Sequence, residues 1–146
     1  KEIPNIRLPK NIKFSFNNLL DYSLFTDSIQ TNHLQNGMFF LMRDGIFPNW
    51  EDPDNCEGCC ISFKIPGKTI KEEFCKILLH CITEDIMNDP DKYEELNGFS
   101  IAPKKEFNIA KMWMRNKQSK YTDLMKEVSP CLLDKDCMIK DNIAEK

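Results

Sequence analysis

Apolar positions along this chain follow two rhythms, and the changes of rhythm mark its elements. Asn17 or Asn18 can cap a helix, and Leu20, Leu24, Phe25 and Ile29 then form a helical face to about Gln30. Phe39-Phe40-Leu41-Met42 is a short apolar run between Asn36-Gly37 and Asp44-Gly45, and so reads as a strand. Over 60–65 the period is two. Ile61, Phe63 and Ile65 share one face, Cys60, Ser62 and Lys64 the other, until Pro66-Gly67 stops the strand. The clearest helix starts at Thr69, which pairs with Glu72 as a capping box ahead of Ile70, Phe74, Ile77, Leu78, Cys81 and Ile82. Asn88-Asp89-Pro90 closes that helix or the loop after it. Strands follow at about 98–103 and 108–114. In the second, Ala110, Met112 and Met114 oppose Ile109, Lys111 and Trp113. A third helix is expected from Ser119 to Val128, with Tyr121, Leu124 and Val128 inward and Pro130 at its end.

Strand pairs between helices give an α+β fold: an antiparallel sheet with helices gathered on one face. The length of 146 residues fits one domain over 1–146. Residues 1–15, with Pro4 and Pro9, read as an extended arm. From residue 130 the tail is charged and has no assigned element beyond an apolar patch at Cys137-Met138-Ile139.

Composition narrows the function classes. A net charge of −3 argues against broad binding to a nucleic-acid backbone, which needs a strongly basic face, but allows a pocket for one nucleotide. Seventeen Lys against three Arg, with abundant Asn and Ile, point to an AT-rich genome, viral or protozoan in kind. No apolar run is long enough to span a bilayer, and no apolar leader stands at the start. Seven cysteines, an odd number without finger spacing, read as small buried hydrophobes in a reducing compartment. Cys56, Cys59 and Cys60 would begin a zinc site only if a second ligand pair followed at a ribbon or finger spacing, and none does. His80 and Cys81 are adjacent on a helix and do not face each other. There is no Gly-rich phosphate loop, paired-acid constellation or nucleophile elbow, so the chain reads as a binder, not an enzyme.

The informative segment is Arg43-Asp44-Gly45-Ile46-Phe47-Pro48-Asn49-Trp50-Glu51-Asp52-Pro53-Asp54-Asn55. By itself it is a turn and a Pro-bounded loop in which Trp50 is either a packing anchor or a ligand platform. It closely resembles the cap-binding loop of the initiation factor 4E family, Phe-x-Asp-Gly-Ile-x-Pro-x-Trp-Glu-Asp with an Asn soon after. The resemblance extends to Asp21-Tyr22-Ser23-Leu24-Phe25 and Ile29-Gln30 in the first helix, and to Phe74-Cys75 and Leu78-Leu79 in the second. Gly98, Ile109-Ala110 and Trp113 match the late strands, so the likeness covers roughly residues 16–128.

That resemblance implies a curved antiparallel sheet with about three helices on its convex face and a slot on the concave side. The slot would hold the 7-methylguanosine cap of messenger RNA in translation initiation, with no cofactor and no metal. Methylation makes the base cationic and electron-poor, so an indole face gains both stacking area and a cation–π term. Trp50 would provide that stack, and Trp113 would press on the N7-methyl group from the side. The Glu51 carboxylate offers two acceptors to the adjacent N1–H and N2–H₂ donors of guanine. Lys104 falls at the family's phosphate-binding position, Lys111 shares a strand face with Trp113, and Lys105 is a further cation. Capped mRNA and a 4G-like scaffold protein are the implied partners, for a monomer in the cytoplasm that engages no membrane.

Four departures from the family pattern change the details. No Trp precedes the first helix, so the second stacking platform falls to another aromatic, Phe14 or Phe47 being nearest, or is absent. Cys60 stands where the family has a basic residue after Gly-Gly, here Gly58-Cys59, which thins the phosphate contacts or moves them, to Lys64 for instance. Ser23 replaces the Trp of the partner-binding helix face, where Asp21 and Tyr22 flank it, and so weakens the case for a usual 4G partner. The family's first strand is missing or short. These departures leave a second reading: a scaffold or decoy with a degraded pocket that binds proteins through its helical face.

Overall fold

The computed structural model describes residues 19–118, Met125 and residues 137–142. Strands β1 (Phe39–Met42), β2 (Cys59–Pro66), β3 (Leu96–Pro103), β4 (Phe107–Met114) and β5 (Met138–Asp141) form one sheet in the order β1-β3-β4-β2-β5. Every pairing is antiparallel. Helices α1 (Leu19–Ser28), α2 (Thr31–Asn36) and α3 (Ile70–Ile82) accompany it. The expected α+β class is therefore observed, and the apolar patch at residues 137–139 contributes to an edge strand.

The strand alternation sorts the sheet into two faces. Leu41, Phe99, Ile61, Phe63, Ile65, Ala110, Met112 and Met114 point to the helices and build the core with Phe74, Ile77 and Leu78 of α3. Phe74 is the hub: its ring stacks on Phe99 at 5.7 Å and meets Phe25 and Phe39 at 6.4 and 6.5 Å. Fully burying one such side chain is worth about 1.5–3 kcal/mol, so this aromatic cluster is a main anchor of α1 and α3 on the sheet. Asn108, buried in β4, donates to the Leu34 carbonyl at 2.8 Å and fixes α2 as well.

Several local expectations change. The first helix forms as expected, as α1 ending at Ser28, but a second short helix that was not expected, α2, begins after Gln30, whose N–H donates to His33 Nδ1 at 2.9 Å. The inward side of α1 is Tyr22 and Phe25 leading to Ile29, while Leu20 and Leu24 are 64% and 58% exposed. Apolar residues occupy both faces of that helix. What selects the inner one is tertiary: Tyr22 Oη donates to the Cys75 carbonyl at 2.9 Å, and Phe25 reaches Phe74. Thr69 stands at the N-cap of α3, but its side chain makes no cap hydrogen bond. A 3-10 turn over Gly67–Thr69 runs straight into the helix, so backbone continues where a capping box was expected. The helix expected over 119–128 lies outside the described residues except for Met125, which forms an isolated antiparallel bridge with Met87. Among the described residues no helix is long and apolar enough to cross a membrane.

Candidate functional site

The other face of the sheet is covered by no described helix. Register places Met42, Gly98, Trp113, Cys60 and Lys140 in one row across it. The next row is Phe40, Ser100, Lys111, Ser62 and Met138. Gly98 is needed here, because a Cβ would collide with the Met42 sulfur and would lie 2.6 Å from the Leu41 carbonyl oxygen. Without it, Met42 lies across β3 beside Trp113. Trp113 itself is buried, 7% exposed, and its indole N–H donates to the Ser100 hydroxyl at 2.9 Å.

The loop over residues 43–58 crosses the end of the sheet at which Trp113 sits. Arg43 fastens its start. Its backbone N–H donates to Asn97 O at 2.9 Å, and its guanidinium reaches the Leu96 and Tyr93 carbonyls at 2.7 and 2.6 Å and Glu84 at 3.0 Å. Gly45 takes φ +88, a left-handed value that favours glycine, and the turn closes with Ile46 N–H to Arg43 O at 3.0 Å. Asp52, buried, then organises the middle. Its carboxylate accepts from the Phe47 and Asp54 N–H groups at 2.9 and 2.8 Å.

Asn55, fully buried, donates to the Phe47 and Asn49 carbonyls at 3.0 and 2.9 Å and accepts from Asn97 Nδ2 at 2.9 Å. Asn142, just beyond β5, donates through its side chain to Asn55 O at 2.7 Å and through its backbone to Gly58 O at 3.0 Å. The Arg115–Asp54 ion pair at 3.2 Å adds a contact from the end of β4. Sequence reading missed these anchors, Asn97 and Asn142 above all, because the groups they join are distant in the chain.

What the loop leaves outward is Trp50, 46% exposed, and the adjoining Glu51, whose carboxylate has no partner among the described residues. Phe47 is exposed on the same loop. Phe14 lies outside the described residues. Trp50, Glu51 and Trp113 are thus brought to one end of the sheet. Lys111 is exposed in the row next to Trp113, in no ion pair among the described residues. Lys104 and Lys105 are exposed in the β3–β4 turn, where Lys104 N–H donates to Phe107 O at 2.7 Å. That turn is roughly 20 Å along β4 from Trp113, at about 3.4 Å per residue. Lys64 lies over the Phe107 ring at 4.9 Å. Asp21 and Ser23 stand on α1 at the opposite side of the molecule's core, and Tyr22 between them is turned inward to Cys75.

The thiols are placed for packing. Cys59 and Cys60 are consecutive in β2 and leave on opposite faces, so they cannot converge with Cys56 on one ion. Among the described residues no three His, Cys, Asp or Glu side chains gather as a metal site. Burial pushes the Cys60 thiol from 9.0 up to about 11, against the opposing influence of Lys111. His33 caps α2, and His80 Nδ1 pairs with Asp85 at 2.7 Å.

No curated protein sequence matches the chain. Solved structures do. Ascaris suum eIF4E-3, crystallised with an m7G cap, aligns at 20% identity and a TM-score of 0.58, covering 71% of this chain and 59% of that one. C. elegans eIF4E-3, in complex with the 4E-binding protein Mextli and a cap analog, gives 21%, 0.56, 65% and 54%. Schistosome eIF4E, complexed with m7GpppG and 4E-BP, gives 17%, 0.58, 67% and 54%. The chain therefore spans between half and three-fifths of the length of these structural neighbours, which share its fold. The model of the family described as eukaryotic initiation factor 4E matches residues 8–140, nearly the whole chain. By that match the chain belongs to the eukaryotic initiation factor 4E family.

Proposed function

We propose that this protein binds the 7-methylguanosine cap of messenger RNA at the end of its open sheet face, as a translation factor without catalytic activity. One observation carries the reading: a loop tied by its buried polar groups to itself and the sheet holds a half-exposed Trp50 beside Glu51, which has no partner among the described residues. Trp50 stacks on the cationic base, a contact worth about 1–3 kcal/mol, with up to about 2 more from the cation–π term when desolvated. Glu51 receives the two guanine donors and distinguishes guanine from adenine. Trp113 lies at the base of the apolar end of the sheet, and Lys111 meets the phosphates. Lys104 and Lys105, roughly 20 Å along β4 from Trp113, lie beyond the reach of the triphosphate and would meet only the nucleotides that follow the cap. The structures of two nematode eIF4E-3 proteins and a schistosome eIF4E with cap or cap analogs support the same assignment.

Titration with 7-methyl-GTP and with GTP tests it. The methylated ligand should bind more tightly and quench tryptophan fluorescence. Trp50→Ala should weaken it by at least about fivefold, the low end of one base stack. Equal binding of the two ligands by the unmodified protein would defeat the proposal.

A second role is favoured by α1. Leu20 and Leu24, four residues apart, expose one apolar side of that helix, and Ser23 lies between them. This side fits an amphipathic helix of a 4G-like scaffold or a 4E-binding protein, and Mextli and 4E-BP accompany the neighbouring eIF4E structures.

A further inference from the structure

The open face carries more aromatic surface than Trp113 provides. Phe40 points to that face from β1, opposite Ser100, and its ring meets the Trp113 indole edge-on, with centroids 6.3 Å apart and planes at 67°. The two rings differ in what they can offer. Trp113 is almost wholly buried, and its one polar atom is committed to Ser100. Phe40 keeps 42% of its surface exposed even while it packs on Trp113. Outward positions of an edge strand are usually polar. Here a large aromatic occupies one, in a strand of four residues whose Met42 lies over Gly98 to extend the same apolar surface. Phe47, also exposed, makes no ring contact among the described residues. Phe40 alone of these two is braced by a second aromatic.

We infer that Phe40, rather than the Trp113 ring behind it, is the aromatic surface by which the sheet touches the methylated base, and that Trp113 is its positioning residue. The inference rests on the cap-binding reading and adds to it a specificity-determining side chain. A cationic heteroaromatic gains from an aromatic face only where that face is accessible. The buried indole has little face left to give; the half-open phenyl ring has. Its orientation is held by a short relay: Ser100 fixes the Trp113 ring nitrogen, and Trp113 supports Phe40 through an edge-to-face contact. Lys111 lies next but one to Phe40 in the same row, so a base resting on Phe40 has a cation about two strand spacings away for its phosphates.

The test uses the full chain and calorimetric titration with 7-methyl-GTP and GTP, comparing the unmodified protein with Phe40→Ala, Phe40→Leu, Trp50→Ala and Trp113→Phe. Phe40→Ala should weaken 7-methyl-GTP by about tenfold, within the range of one base–aromatic contact, and GTP by clearly less. Phe40→Leu restores apolar area without a ring, so its ratio of methylated to unmethylated affinity should stay below that of the unmodified protein. If both Phe40 variants keep the original affinity and ratio while Trp50→Ala loses them, cap binding stands and the role of Phe40 is overturned. If the unmodified protein shows no methyl preference, the cap reading fails and this inference fails with it. A ligand-free measurement tests the bracing contact: in a Trp50→Phe background, Phe40→Ala should make Trp113 fluorescence more accessible to acrylamide. Unchanged quenching would mean that Phe40 does not cover Trp113.

Discussion

Asn55 spends every polar atom of its side chain on the loop it belongs to. Two donors hold the Phe47 and Asn49 carbonyls, and its oxygen accepts from Asn97, which also reaches Asp54 O at 2.7 Å. Replacing it by alanine strands buried partners on both sides of a fully buried position. Since each unsatisfied group costs about 1–3 kcal/mol, Asn55→Ala should lower stability by about 2–4 kcal/mol. It should also weaken 7-methyl-GTP, although Trp50 and Glu51 remain, because the loop that aims them is loosened. Urea unfolding and ligand titration measure the two effects. Asp44→Ala, at an exposed position of the same loop, is the control and should change stability by no more than about 0.5 kcal/mol. A normal unfolding midpoint for Asn55→Ala would show that the loop does not depend on this network. The sequence displayed Trp50 and Glu51 as candidates through their motif. It could not display why Asp52 and Asn55 accompany them, since the groups that Asn55 joins include Asn97 and Asn142, 42 and 87 residues away.

At the scale of elements, β2 and β4 were legible almost to their ends because alternation of side chains and alternation of burial coincide over residues 61–66 and 107–112, although Cys60 and Trp113 are buried on the other face. Cys59, Ile61, Phe63 and Ile65 are buried against the helices, as Ala110, Met112 and Met114 are. Helix α1 was legible as a helix but not in its orientation, because Leu20 and Leu24 compete with Tyr22 and Phe25 for the inner side. Helix α2 left little trace in the sequence: its start is a His33 ring nitrogen accepting from Gln30, not a Ser, Thr, Asp or Asn cap. The exposed side of α1 is where the partner role can be checked. An amphipathic 4G-type helical peptide should bind with an affinity lowered by the absence of an aromatic at Ser23. Ser23→Trp should strengthen binding by about thirtyfold, the equivalent of a 2 kcal/mol hot spot. Leu24→Glu should abolish it and leave 7-methyl-GTP binding intact. Isothermal titration calorimetry reads both, and peptide binding that ignores Leu24→Glu would remove α1 from the interface.

The two sides of the one sheet differ in polarity. The helix-covered side is apolar and sets the fold; the side that no described helix covers carries Phe40, Trp113 and Lys111, the groups the proposed cap site would use. Acidic thiol and phenol groups buried by that arrangement link the fold to pH. Burial raises the proton affinity of Cys59, Cys60, Cys75 and Cys81 and of the Tyr22 hydroxyl. For Cys60 the ordinary value is 9.0 and the folded value about 11. Between those values the folded state holds more protons than the unfolded chain, so stability is intact below about pH 9 and falls as pH rises toward 11. One such group costs at most about 2–3 kcal/mol across that window, at 1.36 kcal/mol per unit. Urea midpoints should therefore be flat from pH 7 to about 9 and then drop. Cys60→Ala should drop less steeply over the same interval, because it removes one of the titrating groups. Parallel profiles for the two proteins between pH 9 and 11 would mean that Cys60 ionises as freely in the fold as outside it, and that the open face admits water to the thiol beside Trp113.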